Sequence, residues 1–489
     1  MNRPVHDDPI LLAAEALTRQ DHLQVTALLR PVLAANPNHA DALYLLGLSA
    51  NALNRPEMAC QLLGRAISLK PDQPYYHFHL SSCLQTLGNL PQAEQALRSA
   101  IQLNPDPPEF HVNLGNLHLA NHDPPSAIAC YLQALERAPD QKDAHHNLGV
   151  IFQSHNDHAN ALQEFRAAVE SDPNHALAHM GIAASLLKTG HFLAGWQEYE
   201  WRFGMKNHAP RICPVPRWDG TDPNGLRLYV YTEQGFGDDL MGVRFMPLLR
   251  ARGATILLEC RPELLSLFTS SQIADQVTAR DLDDVEPPPF TYDRHIPLMS
   301  LPLLLNITED GLPGRIPYLT PPMDRVAAWA ERLGPKRAPR VGLSWSGNPQ
   351  AAVNQERACT LTDLLPLTFL PNITFYALQK GPPADQLTPE LQQRHEIIPL
   401  GDELTDFAET AALMLQLDLV ISTDTAIVHL AGALGVPVWT LLHTACEWRW
   451  QESRPDSPWY PSMRLFRQPA PGNWRAVVEE ARLALADAM

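Results

Sequence analysis

Two different hydrophobic rhythms divide this chain. Up to about residue 203, apolar and small positions recur with helical spacing, and each helical stretch ends at a short polar turn. Beyond residue 226 the rhythm changes to short, wholly apolar runs, each followed by a helical pattern. LRLYVYT (226–232) and ATILLEC (254–260) read as buried strands. DLMGVRFMPLLRARG (239–253) reads as a helix kinked at Pro247, and RPELLSLFTS as a second helix. The alternation restarts with PRVGLSWSG (339–347) and ITFYALQKG (373–381). It is clearest in LDLVISTDTAIVHLAGALGVPVWTLL (417–442), which reads as strand, turn, helix stopped by Gly435, and strand. Strand–helix alternation predicts parallel sheets, here two βαβ-type halves. The Pro- and Gly-rich stretch 204–226 reads as a linker.

The first region repeats. Pro37, Pro71, Pro105, Pro139 and Pro173 lie 34 residues apart. Small residues share the frame: Ala13, Gly47, Ser81, Gly115, Gly149 and Ala183, then Ala59, Ala93, Ala127 and Ala161, then Ala66, Ala100, Ala134 and Ala168. Small residues let two helices approach closely, and the proline ends the second one. Period and pattern resemble the tetratricopeptide repeat, with frames starting near residues 6, 40, 74, 108, 142 and 176. The copy 142–175 departs once, with His145 where that family often has Trp. Such a solenoid is expected over residues 6–203, about five and a half repeats, presenting a concave face to peptide or a partner protein. Asn113 and Asn147 hold the same place, just before Leu-Gly. The region resembles the superhelix of O-linked N-acetylglucosamine transferase, where an asparagine ladder at this place holds a bound polypeptide. An amide suits that work, since it both donates and accepts. His79 and Leu45 fill the equivalent places, so Asn113 and Asn147 are either two rungs of a ladder or solvated helix residues.

Charge and cysteine content then narrow the classes. The 489 residues carry 37 Lys+Arg and 54 Asp+Glu, a net charge of −17, and neither region is basic. Nucleic acid is therefore not an expected partner. Nothing approaches a membrane-spanning apolar run, so stable membrane insertion is not expected. Seven scattered cysteines without a CxxC pair predict a reducing, cytoplasmic setting. Fifteen of the 20 histidines precede residue 204, but His118/His122 and His175/His179 lack the companions of a metal site. Asp281-Leu282-Asp283 matches a DxD signature, yet it lies in an acidic, Pro-rich loop and reads as solvated. No metal is expected.

Two strand-to-helix turns carry the candidate chemistry. Thr232-Glu233-Gln234-Gly235-Phe236-Gly237-Asp238 opens a helix, and its glycines allow close backbone approach to a ligand. Asp238 is either a helix cap or a group facing a cleft. Leu240 stands where a GxGxxG pattern requires its third glycine, which disfavours a dinucleotide-binding dehydrogenase. In the second turn, Asp424-Thr425-Ala426 begins a helix whose amide groups and dipole suit a diphosphate, with His429 one turn along. Capping remains the alternative for Asp424, and a satisfied buried histidine for His429.

The order strand–DT–x–x–x–H–L–A–x–A–L–G–x–P in 418–437 resembles the heptosyltransferase-like inverting glycosyltransferases of family 9, which have the GT-B fold. EQGFGD (233–238), DRHIPLMSLP (293–302), VGLSWSGNP (341–349), LQKG (378–381) and EWRW…SPWYPSMRLFRQ (447–468) carry the likeness further. The whole chain resembles bacterial proteins in which tetratricopeptide repeats precede such a domain. The implied fold class is α plus α/β: a solenoid, a linker, an acceptor half at 227–335 and a nucleotide-sugar half at 336–489, both Rossmann-like. The resemblance implies that Asp238 is the general base. It implies that Asp424, Thr425, Ala426 and His429 hold the nucleotide diphosphate, and that Ser344, Ser346, Gly347 and Asn348 line the opposing loop. Gln379 and Lys380 would contact nucleoside or phosphate, with Lys380 and Arg357 neutralising the leaving group. Gln234, Gly235 and Gly237 would meet the acceptor. A nucleotide-sugar is the implied co-substrate, with no cofactor. Gln355 and Ala358-Cys359 depart from the family pattern.

Two more features have open readings. His295 is a candidate catalytic or acceptor contact if it ends a strand at the cleft, and a structural residue otherwise. Trp448, Trp450, Trp459 and Tyr460 are either packing or a sugar platform. The preferred function is transfer of a sugar to Ser or Thr of a protein held by the repeats. A transferase acting on a cell-surface glycan and an interaction scaffold with an inactive transferase domain are the alternatives.

Overall fold

The computed structural model describes residues 8–205, 211–280, 290–350 and 354–488. Its N-terminal region is a series of helices: α1 (Pro9–Thr18), α2 (His22–Ala35), α3 (Ala40–Ala52), α4 (Pro56–Leu69), α5 (Pro74–Thr86), α6 (Leu90–Leu103), α7 (Pro108–Ala120), α8 (Pro124–Arg137), α9 (Lys142–Ser154), α10 (His158–Ser171), α11 (Ala176–Lys188) and α12 (Phe192–Tyr199). The predicted 34-residue frames begin within three residues of α1 and at the first residues of α3, α5, α7, α9 and α11.

The sterics behind this are local. Asn36, Lys70, Asn104 and Ala138 each end a helix and precede a frame proline, and each has φ between −149° and −136° with ψ between 82° and 108°. A proline ring bars the helical region to the residue before it, so the stop recurs at each frame. The small positions are helix crossings. A Cβ on Gly47 would meet Leu63 at 2.8 Å, on Gly115 Tyr131 at 2.5 Å, and on Gly149 Phe165 at 2.7 Å. His77, His111 and His145 place Nε2 at 2.9, 2.9 and 3.0 Å from the carbonyls of Pro71, Pro105 and Pro139. A carbonyl only accepts, so each Nε2 carries the proton and ties its helix to the preceding turn.

Contacts divide the chain into two compact units: residues 1–151 with 160–178, and residues 152–159 with 179–489. This moves a predicted boundary, because residues 179–203 fold with the second unit. Ala183, Leu187, Phe192, Trp196 and Tyr199 share one apolar core with Leu228, Val230 and Ile256. The stretch 204–226 is not wholly a linker either. Trp218 is buried in that core, and its N–H bonds to the His295 carbonyl at 2.9 Å.

Two parallel sheets build the rest. The first runs β3 (Gln276–Ala279), β2 (Thr255–Cys260), β1 (Arg227–Tyr231), β4 (Arg294–Pro297), in that spatial order. Helix α13 (Phe236–Gly242) follows β1, and α14 (Met246–Ala251) continues it. A 3-10 turn at Val243–Phe245, just before Pro247, separates the two. Helix α15 (Pro262–Ser270) follows β2, and α16 (Leu301–Leu304) and α17 (Met323–Leu333) follow β4.

The second sheet runs β10 (Met463–Arg467), β9 (Val438–Leu442), β8 (Leu419–Thr423), β5 (Arg340–Ser344), β6 (Thr374–Ala377), β7 (Ile397–Pro399). Its helices are α18 (Asn354–Arg357), α19 (Leu361–Leu364), α20 (Pro389–His395), α21 (Phe407–Met414), α22 (Ala426–Leu434) and α23 (Trp474–Ala488). In this doubly wound order the connections reverse direction between β5 and β8. They do so between β1 and β4 in the first sheet, and ligands bind at such switch points, beyond the carboxyl ends of the strands.

Candidate functional site

The segments leaving β1, β5, β6 and β8 converge on one cleft of about 670 Å³ within the second unit. Gly235, Phe236, Gly237 and Asp238 form one wall. Ser344, Ser346, Gly347, Asn348 and Arg357 face it with Gln379, Lys380, Asp424, Thr425, Ala426 and His429. The size suits a small organic ligand.

Asp238 is not a simple cap. Gly235 is the cap residue of α13, and Asp238 Oδ2 accepts the Gly235 N–H at 3.2 Å from the third helical position. Its Oδ1 meets Arg449. The side chain keeps 17% exposure, toward the cleft it lines. Burial raises its proton affinity, and Arg449 opposes this.

Across the cleft, Thr425 caps α22, and the first turn Thr425–Ile427 lines the space with amide groups that have no helical acceptor. Asp424 is 3% exposed and its pKa is pushed up to about 6, by burial first and by Glu447 second, against Arg357. His429 is neutral, because burial and then Arg449 hold it well below the usual range. Its Nδ1 lies 3.0 Å from the Tyr460 hydroxyl, and its ring stacks on Trp450.

Gln379 is the hub of the loop after β5. Its Oε1 accepts from Ser344 Oγ at 3.2 Å and from the N–H groups of Trp345 and Ser346 at 3.0 Å each. Its Nε2 donates to the carbonyls of Ser346 and Lys380. The amide thus shapes the loop after β5 while the residue lines the cleft. Asn354 adds to this, accepting the Gly347 N–H at 2.8 Å and donating to Ser346 Oγ. Lys380 also lines the cleft, and its Nζ donates to the Leu404 carbonyl.

Three further candidates are placed as follows. His295 lies in β4 opposite Tyr229, is 8% exposed, stacks on Tyr231 and does not line the cleft. It sits toward the start of its strand, whereas the cleft lies beyond the strand ends. Gln234 is also absent from the lining. In the first unit, Asn147 Nδ2 donates to Asn116 Oδ1 at 2.8 Å, and that oxygen also accepts from Tyr131. This rung is engaged within the fold, while Asn113 has no side-chain hydrogen bond among the described residues.

Trp448, Trp450, Trp459 and Tyr460 are all buried, as packing requires. Cys359 is a core residue. Asp281-Leu282-Asp283 and the side chain of Gln355 lie outside the described residues. Sequence reasoning missed Arg449, Glu447, Arg261 and Asn354. The one signal for Arg449 was an arginine set between two tryptophans. Arg261 stacks on Phe236 at 3.4 Å and pairs with the buried Asp239 at 2.6 Å. No helix among the described residues is long and apolar enough to cross a membrane, and all seven cysteines are free.

Comparison with known proteins agrees with this architecture. The tetratricopeptide repeat family matches residues 12–74, 80–142, 112–176 and 147–192, and glycosyltransferase family 9 (heptosyltransferase) matches residues 384–476. Protein FlbA of Caulobacter vibrioides is 32% identical over 329 residues, 62% of this chain and 54% of that protein. The chain thus spans about half the length of this relative. The crystal structure of TTC0263, a thermophilic TPR protein of Thermus thermophilus, is 22% identical with a TM-score of 0.33, covering 37% of this chain and 100% of its own. The structure of Pseudomonas aeruginosa PilF is 19% identical with a TM-score of 0.37, covering 42% and 91%.

Proposed function

Since the chain joins tetratricopeptide repeats to a glycosyltransferase family 9 (heptosyltransferase) domain, we propose that it is an inverting glycosyltransferase that moves a sugar from a nucleotide donor to a hydroxyl of a protein held by the repeats. The observation that carries this reading is the placing of Asp238 opposite the first turn of α22, one at each switch point. The acceptor O–H attacks the anomeric carbon as the bond from that carbon to the diphosphate breaks. The proton passes to Asp238, and the bonding electrons leave with the diphosphate. The amide groups of α22, Thr425 and the cleft cations Arg357, Lys380 and Arg449 balance that charge, with no metal required. A single displacement inverts the anomeric configuration. The repeats support a protein acceptor, because stacked helical pairs present an extended surface suited to a polypeptide.

The test is a donor screen on the full chain. Thermal shifts with UDP-, GDP-, ADP- and CMP-sugars are compared for the wild type and Thr425→Ala. A ligand that binds the native state raises its melting temperature. A shift with one donor, lost in the variant, supports the reading, and a product of retained configuration sinks the single displacement. The scaffold alternative has one observation in its favour, since Arg357 and Lys380 already hold Glu447 and the Leu404 carbonyl. No shift with any donor would favour it.

A further inference from the structure

Arg449 belongs to the nucleotide half but reaches the candidate base on the other half. It lies in the loop between β9 and β10, is 5% exposed, and its guanidinium covers the Trp448 ring at 4.2 Å. One arm meets Asp238 Oδ1 and the other meets Glu447 Oε2. Glu447 Oε1 takes Arg357 Nη2 at 2.9 Å. Arg357 in turn reaches the Asp424 carbonyl at 3.3 Å and its carboxylate at 4.0 Å. Charges therefore alternate from Asp238 through Arg449, Glu447 and Arg357 to Asp424 at the start of α22.

Resting on the reading of Asp238 as the base, we infer that Arg449 is its positioning residue: it fixes Oδ1 while the Gly235 N–H fixes Oδ2, and it keeps the carboxylate ionised and able to take the acceptor's proton. A carboxylate withdrawn from water takes up a proton unless a cation offsets the lost hydration. The other titratable or charged neighbours of Asp238 are Glu447, Arg261, Tyr199, Glu233 and Asp239. The three carboxylates among them favour the protonated form. Arg261 is engaged by Asp239, which leaves Arg449 as the cation in contact with Asp238. An arginine fits the place because its planar fork can serve two carboxylates at once, which a lysine ammonium does less well.

Infrared spectroscopy tests this without a substrate. The protonated-carboxyl stretch of the full-length protein is followed against pH for the wild type, Arg449→Gln and Arg449→Lys. The component missing in Asp238→Asn, made in each background, is the Asp238 signal. Its midpoint should rise by about one pH unit or more in Arg449→Gln, with Arg449→Lys lying between. Circular dichroism confirms the fold, and if Arg449→Gln does not fold, Arg449→Lys carries the comparison. An unchanged midpoint in a folded variant overturns the inference. A shifted midpoint, together with an Asp238→Asn protein that releases nucleoside diphosphate at the full rate from the donor found in the screen, overturns the base reading. Arg449 would then stand only as the residue that keeps Asp238 ionised.

Discussion

Gly237 lies directly against His429. A Cβ at position 237 would stand 2.7 Å from His429 Cδ2 and 3.2 Å from Nε2. The ring has little room to give, since Tyr460 holds its Nδ1 and Trp450 stacks on its face. The first turn of α13 thus packs on α22 through a glycine, which brings the two motif turns together. Gly237→Ala should destabilise the protein by about 1–3 kcal/mol, the usual range for overpacking a filled site. Urea unfolding with an unchanged slope measures this. Wild-type stability in the variant would mean that the two helices separate freely.

Gln379→Ala should weaken the protein and the cleft together. It strips the acceptor from two buried backbone N–H groups, at Trp345 and Ser346. Each unsatisfied buried donor costs about 1–3 kcal/mol. Gln379→Glu should not rescue it, because a carboxylate would face the carbonyls that Nε2 now serves. Melting temperatures of both variants, with and without the donor found in the screen, check this. A stable variant with intact donor binding would show that the loop holds its shape unaided.

Asp424 gives a pH dependence with a definite sign. Its folded pKa is about 6, against about 3.9 for a free aspartate. The folded state therefore binds the proton more tightly, and this group's contribution to stability falls as pH rises from about 4 to about 6. The difference is roughly 2–3 kcal/mol. Asp424→Asn lacks that loss, so its stability relative to the wild type should climb over the same window and level off above it. Denaturant unfolding at a series of pH values measures the difference. A flat difference across the window would reject the raised value.

The border of the second unit can be tested by truncation. A chain beginning at Phe152 keeps every residue of the second unit and should fold. One beginning at Gly204 loses Phe192, Trp196 and Tyr199 from the core. It also loses the buried Arg202, which pairs with the part-buried Glu233 at 3.0 Å. Removing one partner of such a pair costs about 3–5 kcal/mol, and each lost large side chain costs about as much again. The sum rivals a whole domain's stability, so the shorter chain should be insoluble or unfolded by circular dichroism. A folded chain from Gly204 would restore the border suggested by the end of the 34-residue period.

Much of the fold was legible because its causes are local. A proline dictates the conformation of the residue before it, so a stop at Asn36, Lys70, Asn104 and Ala138 could be read from the period alone. The strand–turn–helix order around Asp424 and Gly435 is likewise written in a short window, and the helix runs from Ala426 to Leu434 with Gly435 left-handed at its end. The partners of His295, Gln379 and Lys380 were not legible, for a different reason. A polar residue near a strand says nothing of whether its side chain meets a ligand or a backbone carbonyl. The end of the period also hid the fact that Phe192, Trp196 and Arg202 serve the second unit.

By itself the sequence determined the helical pairs, the two alternating halves and the two turns that open α13 and α22, because steric rules and hydrophobic period act over a few residues. Only the tertiary structure decided which charges meet. Asp238 and Arg449 are 211 positions apart, and nothing local to either implies the other. They come together because the strand orders of the two parallel sheets bring the turns after β1 and β8 and the loop between β9 and β10 to one cleft. There, burial obliges each charge to find a partner.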